Sequence, residues 1–322
     1  MRNTHSSPGA PGLRAVQDAV VRALAERTPG GVRPGELDRD GRALRWVEAG
    51  GDTGEENGPA PVVLIAGCGG GALDWAPVLP ELARHRRVVA YDRAGLGASE
   101  PRRAAGPDLD AQVADLAALV AGLDAGPAVL VGHSWGGQLA QLLAWQRPEL
   151  VAGLVLVDPA HEEFQPPLIR AAETVLNRVW LLRAALAEPG PATGTADAAT
   201  YASGAATAAE VAEAAVLAHR HQRRTVLDET RLTALAVPEL RRRRAAARLP
   251  EVPVTVLSAT KGLPAAMRGR WTAMQSRIVA GHPRGQHVVV PGAGHAVHAD
   301  RPGAVVAAVL EVAEHARRVR LR

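Results

Sequence analysis

Ser134 stands in the run Val129-Leu130-Val131-Gly132-His133-Ser134-Trp135-Gly136-Gly137. An apolar stretch, a Gly-x-Ser-x-Gly turn and a helical segment opening at Gln138-Leu139-Ala140 follow one another. That order is strand, sharp turn and helix, the arrangement of a nucleophile elbow. Small residues flank the serine because its backbone is strained and neighbouring side chains would collide. The strain lifts the hydroxyl clear of the sheet edge. It also sets backbone N–H groups at a helix start, where developing negative charge is favoured. A serine hydroxyl is a weak nucleophile at neutral pH, so the motif demands a base elsewhere in the chain.

Metal and nucleotide chemistry are not indicated. The histidines are scattered, no His-x-x-x-His or cysteine pair stands at ligand spacing, and no cofactor is expected. Gly69-Gly70-Gly71 lacks the Gly-Lys-Ser/Thr sequel or the Gly-x-Gly-x-x-Gly spacing of a nucleotide loop.

The elements that must position Ser134 can be read from pattern. With 322 residues, 47% of them apolar, the chain can bury a large core, and Phe164 is the sole phenylalanine, so aliphatic packing carries it. Net charge is only +4, and nearly all positive charge is arginine, with Lys261 the single lysine. No basic stripe interleaved with aromatics occurs, so no nucleic-acid partner is expected. Cys68 is the only cysteine, which excludes an internal disulfide and fits a reducing compartment. The polar start, Met1 to Ala10, has no apolar leader core, and no run approaches the roughly 20 apolar residues that span a bilayer. A cytoplasmic protein without a membrane partner is the expectation.

Leu13, Val16, Val20 and Leu24 recur at helical spacing and predict an amphipathic helix inside an N-terminal extension, residues 1–35. Strands are predicted at Arg42–Ala49, Val62–Ile65, Arg87–Tyr91, the elbow strand, Gly153–Val157, Val252–Ser258 and Gln286–Val290. Helices are predicted at Trp75–His85, Asp110–Leu123, Arg270–Ile278 and Ala304–Val319. This alternation predicts an α/β fold with a mostly parallel, doubly wound sheet. The core would comprise residues 36–158 and 251–322. Between them, residues 159–250 are helical and Ala-rich, broken by Pro189-Gly190-Pro191.

Four stretches in order resemble the α/β-hydrolase fold superfamily, in its serine-nucleophile branch with a helical cap inserted after strand 6. Gly67-Cys68-Gly69-Gly70 resembles the oxyanion loop, and Asp92 to Ser99 the Asp-Arg-x-Gly-x-Gly-x-Ser turn. Gly132 to Gly137 resembles the elbow, and Gly292-Ala293-Gly294-His295 the catalytic-histidine loop. The resemblance implies Ser134 as nucleophile, His295 as its base, and the backbone N–H groups of Cys68 and Trp135 as the oxyanion hole. His298 has no matching role and reads as structural. Ser134 at the elbow sets the chain apart from dehalogenase and epoxide-hydrolase members, which carry Asp there.

Two departures stand out. The residues after Val254-Thr255-Val256-Leu257, where the triad acid usually falls, are Ser258-Ala259-Thr260-Lys261-Gly262 and contain no carboxylate. Some members take the acid from the end of the preceding strand, where Asp158 stands and keeps the order Ser, acid, His. An Asp capping the turn into Pro159 is the alternative, with Glu162 and Glu163 as competing acids. The family's usual His before the loop glycine is Ala66 here, which removes a brace of the oxyanion loop.

The cap of residues 159–250 is expected to exclude water and shape the pocket. Trp180, Leu181, Leu182 and Leu186 either line it or pack within it. Arg241 to Arg244 reads as a solvated helix face, or as a dock for an acidic carrier protein or an anionic substrate. The function implied is cofactor-free hydrolysis of a carboxylic ester, lactone or thioester, with a small-molecule acyl compound as the partner. Non-hydrolytic acyl transfer or cyclisation on the same fold, and a ligand-binding receptor, are the alternatives. Oligomeric state is left open.

Overall fold

Short apolar strands without alternation must be covered on both faces. Val62–Ile65 (β3), Ala128–His133 (β5) and Val151–Val157 (β6) are buried along their whole length. A computed structural model provides the fold and describes residues 12–51, 59–102, 108–164, 175 and 207–320. Eight strands form one sheet in the order β1-β2-β4-β3-β5-β6-β7-β8. The others are Val32–Asp38 (β1), Ala43–Ala49 (β2), Val88–Tyr91 (β4), Val254–Ala259 (β7) and Gly285–Val290 (β8). β1 and β2 pair antiparallel, as do β2 and β4, and every pairing from β4 through β3 to β8 is parallel.

The side-chain period of two sorts the core into two layers. Val62, Leu64, Val129, Val131, Val155 and Val157 face one cluster, completed by helix Leu13–Ala25 (α1), Leu79–Ala83 (α2) and the C-terminal helix Pro302–Arg320. Val63, Ile65, Leu130, Leu154 and Leu156 face the other, with Leu109–Gly122 (α3) and Trp135–Gln146 (α4). Such double winding reverses the strand order at β3, which lies between β4 and β5. Ligands of open α/β sheets bind outside the carboxyl ends of the strands at that reversal.

Three described helices lie between β6 and β7, the place expected for the cap: Ala208–Leu217 (α5), Arg220–Leu235 (α6) and Val237–Ala246 (α7). A capping box at Thr207 and Glu210 starts α5. α1 packs on α5 and on β1, so it joins the helical segment between β6 and β7 to the sheet. Trp180, Leu181, Leu182, Leu186 and the Pro189–Pro191 break lie outside the described residues. The remaining helices are Ala265–Arg277 (α8), Val297–Asp300 (α9) and Pro302–Arg320 (α10).

Besides a helix α8 that begins at Ala265 rather than Arg270 and the short unexpected α9, two elements differ from the sequence reading. β1 falls partly within the residues assigned to an extension. β1 is an edge strand, where the missing donor of Pro34 is harmless. Gly35 is there because the Trp46 indole lies across it: a Cβ would stand 2.1 Å from that ring. The single helix expected at Trp75–His85 is instead a 3-10 turn, Ala72–Trp75, followed by α2, with Pro77 and Pro80 separating and starting them.

Candidate active site

Every candidate residue leaves the carboxyl end of a parallel strand. Gly67 and Cys68 follow β3, Asp92 and Arg93 follow β4, Ser134 follows β5, Asp158 follows β6, and His295 lies beyond β8. Ser134 has φ 50° and ψ −115°, a region that costs a non-glycine residue of order 1–3 kcal/mol. Its glycine neighbours are required sterically. A Cβ on Gly132 would stand 2.4 Å from the Gly136 carbonyl oxygen, and one on Gly136 2.1 Å from that of Ile65. The turn is held by Ser134 N–H donating to Val157 O (3.1 Å), and by Gly137 and Ala160 N–H donating to Ser134 O (3.0 Å each). α4 begins at Trp135, so the Trp135 N–H falls among the first-turn donors that no helical carbonyl can reach.

Asp158 and His295 meet directly: His295 Nδ1 lies 2.7 Å from Asp158 Oδ2. The His295 side chain is 55% exposed, whereas that of Asp158 is 3% exposed. Asp158 also has a positive φ of 42°, so its position after β6 is strained and over-determined. Three donors fix its other oxygen: Ala259 N–H (3.0 Å), Trp271 Nε1 (2.8 Å) and Gln275 Nε2 (3.1 Å) all reach Oδ1. Trp271 and Gln275 come from α8, and the sequence offers no sign of this duty. Glu162 and Glu163 face elsewhere. Glu162 bonds Arg244 and Gln138, and Glu163 bonds Arg277.

The segment after β7 that lacks a carboxylate supports the histidine loop instead. Thr260 and Lys261 N–H donate to Ala293 O (2.9 and 2.8 Å), and Gly292 N–H donates to Thr260 Oγ1 (2.9 Å). His295 stands beside the elbow. Its carbonyl accepts from His133 Nε2 at 2.9 Å, and the two imidazole centroids are 4.7 Å apart. Because a carbonyl only accepts, His133 carries its proton on Nε2. Burial, reinforced by His295 and His298, holds the His133 pKa far below the ordinary imidazole range. His298 is buried, packs on Trp75 (4.9 Å) and His133 (4.6 Å), and is lowered to about 4, mainly by burial.

The loop that lacks a brace at Ala66 is held from the turn after β4. Arg93, 2% exposed, donates to Ala66 O (2.7 Å) and Gly67 O (2.6 Å). A Cβ on Gly67 would stand 3.4 Å from Ser134 Cβ, so this loop borders the nucleophile. The Asp92 to Ser99 turn closes around its first residue: Asp92 accepts from Ala72 N–H (2.8 Å) and Ala98 N–H (2.9 Å). Cys68 exposes its thiol, 3.7 Å from Thr230 Oγ1 of α6.

Arg244 departs from the expected solvated face. It forms a two-point ion pair with Glu162, donates to Gln141 (3.0 Å) and Gln138 (3.3 Å), and lies 5.3 Å over the Trp145 ring. Arg243 pairs with Asp110 and Glu239. Arg243 and Arg244 therefore tie α7 to the core, because Asp110 and the acidic and amide groups of α4 and the post-β6 loop face them, whereas Arg241 and Arg242 are exposed as expected. The hydrophilic sequence of α7 could not distinguish such ties from exposure to water. Burial alone would raise the Glu162 pKa, but Arg244 outweighs it and holds the carboxyl near 2.

Among the described residues, no group of three His, Cys, Asp or Glu could hold a metal ion, and no helix is long and apolar enough to cross a membrane.

Residues 62–309 match the alpha/beta hydrolase family. The chain is 38% identical over 130 residues to a 2-hydroxy-6-oxo-2,4-heptadienoate hydrolase of Pseudomonas putida, a match covering 38% of this chain and 46% of the relative. It is 44% identical over 107 residues to the lipase LipV of Mycobacterium tuberculosis, covering 32% and 39%. The chain thus spans less than half the length of the curated relatives it matches. Among solved structures, the epoxide hydrolase CorEH superposes with a TM-score of 0.60 at 20% identity, covering 87% of this chain and 98% of that one. That likeness concerns the fold alone.

Proposed function

The chain belongs to the alpha/beta hydrolase family, and we propose that it is a cofactor-free serine hydrolase of a carboxylic ester, lactone or thioester. The observation that carries this reading is the 2.7 Å contact between Asp158 and His295, set beside a serine held in a strained turn. Asp158 accepts the Nδ1 proton of His295 and leaves Nε2 unprotonated, in the form that can take a proton from Ser134. Ser134 Oγ attacks the acyl carbon as that proton moves to His295. The N–H groups of Cys68 and Trp135 receive the developing oxyanion. His295 then protonates the departing alcohol or thiol as its bond to the acyl carbon breaks. Water, deprotonated by His295, attacks the acyl-enzyme and frees the acid and Ser134.

Burial of Asp158 keeps its charge close to the imidazole and away from screening water, while the exposed His295 can meet a substrate. Among the described residues, α6 packs on the loops that follow β3 and β4, and the segment between β6 and β7 would select the acyl group. The two departures from the family pattern have counterparts here, Asp158 for the absent acid and Arg93 for the absent loop brace. Stopped-flow hydrolysis of p-nitrophenyl esters of graded chain length, with lactone and thioester analogues, tests the reading. It requires a stoichiometric burst or steady turnover that vanishes in Ser134→Ala. Full turnover of the best substrate by that variant would exclude the acyl-enzyme.

A further inference from the structure

Glu229 lies in the middle of cap helix α6 and is fully buried, yet it belongs to no part of the motif set. Four donors converge on its carboxylate. Oε1 accepts from Arg93 Nε (2.7 Å) and Gln112 Nε2 (2.6 Å), and Oε2 from Arg93 Nη2 (2.8 Å) and Gly69 N–H (2.8 Å). Arg93 in turn donates to the carbonyls of Ala66 and Gly67. The pair therefore grips residues 66, 67 and 69, on both sides of Cys68. The Gly67 carbonyl and the Cys68 N–H belong to one planar trans peptide, so fixing the carbonyl on Arg93 fixes the opposite direction of the N–H. Gln112 extends the network to the second donor segment, since its Oε1 accepts from Trp135 Nε1 (2.9 Å).

We propose that Glu229 is the positioning residue of the oxyanion hole, so that the hole is formed only when the cap helix α6 is docked. This rests on the serine-hydrolase reading above. Docking of α6 has further contacts in the same place: Gln222 accepts from Gly97 N–H (2.8 Å), and Val226 packs on Gly69, whose Cβ would stand 3.0 Å from it. A buried ion pair seldom adds net stability over apolar residues of similar size, because desolvation offsets the attraction. Its retention here follows from geometry. An acidic side chain from the cap aligns a main-chain donor that the loop, rich in glycine and lacking the usual histidine, would not hold alone.

Two variants separate positioning from mere cap attachment. Glu229→Asp keeps the charge for Arg93 but withdraws the carboxylate from Gly69. Arg93→Met with Glu229→Leu removes both charges of the pair together. Melting temperature, kcat and KM on the best ester, and hydrogen exchange of the 66–71 backbone are measured in both. The proposal expects kcat to fall about 100-fold, the cost of losing one oxyanion donor, with KM within about threefold. It also expects faster exchange of the loop and a melting temperature near wild type for the double variant. A double variant that is folded and retains wild-type kcat would reduce the pair to a structural clasp. Wild-type exchange of the loop in both variants would overturn the proposal whatever the activity. A wild-type protein that hydrolyses nothing would sink the hydrolase reading, while the exchange measurement would still decide whether Glu229 orders the loop.

Discussion

Asp158→Asn is the substitution whose consequence follows most directly from the hydrogen bonds. Three N–H donors converge on Oδ1, at 3.0, 2.8 and 3.1 Å. An asparagine must therefore place its oxygen there, because an amide NH2 would face three other donors. Its NH2 then occupies the Oδ2 position and donates to His295 Nδ1. The imidazole must carry its proton on Nε2, the tautomer that cannot accept a proton from Ser134. Loss of the correct tautomer in a serine triad lowers kcat by about 10⁴, or about 5.5 kcal/mol of barrier. The fold should survive, since the three bonds to the oxygen persist and the residue keeps its volume. The assay is kcat and kcat/KM on the best ester from pH 5 to 9, with melting temperature as the folding control. Glu163→Gln, which alters an exposed pair with Arg277, should leave both constants within about threefold, as surface pairs contribute little. Activity of Asp158→Asn within tenfold of wild type would refute the assignment.

Two further outcomes concern stability. Arg244→Met leaves the Glu162 carboxylate buried without its main partner and should cost about 3 kcal/mol in urea unfolding at pH 7, while a loss under about 1 kcal/mol would show the pair to be incidental. The Glu162 carboxyl is held near 2, below its unfolded value, so this contribution is present above pH 4.5 and should fade as pH falls toward 2. His298 is lowered to about 4, so the unfolded chain binds its proton first as pH falls below 6.5. Acidification from pH 6.5 to 5 should then cost about 2 kcal/mol through this residue, read as a falling melting temperature that flattens in His298→Asn. An identical pH profile in that variant would contradict the assignment.

What could be read from the sequence was whatever is encoded locally. The buried strand Val62–Ile65 has the expected bounds because four consecutive apolar residues have no other stable placement in a doubly wound sheet. The elbow is visible in its glycines because the turn tolerates no Cβ on either side. Asp158 and His295 could be nominated from their places after strands, and the geometry joins them. Other features depend on distant partners and leave no local trace. Glu229 sits in an ordinary polar helix, and only folding brings it to Arg93, which is 136 residues away. Arg244 looks like surface until Glu162 meets it. Gln275 and Trp271 stand on α8 without any motif, and β1 (Val32-Arg33-Pro34-Gly35-Glu36-Leu37-Asp38) has little apolar pattern because it is an edge strand with mostly exposed side chains.

The central claim, that Ser134 is an activated nucleophile, is tested most directly by reaction with a fluorophosphonate followed by mass spectrometry of the digested protein. The account predicts one phosphonyl adduct, on Ser134, absent in Ser134→Ala and greatly slowed in His295→Ala. Folded protein that carries no adduct, or carries it on another residue, would contradict it.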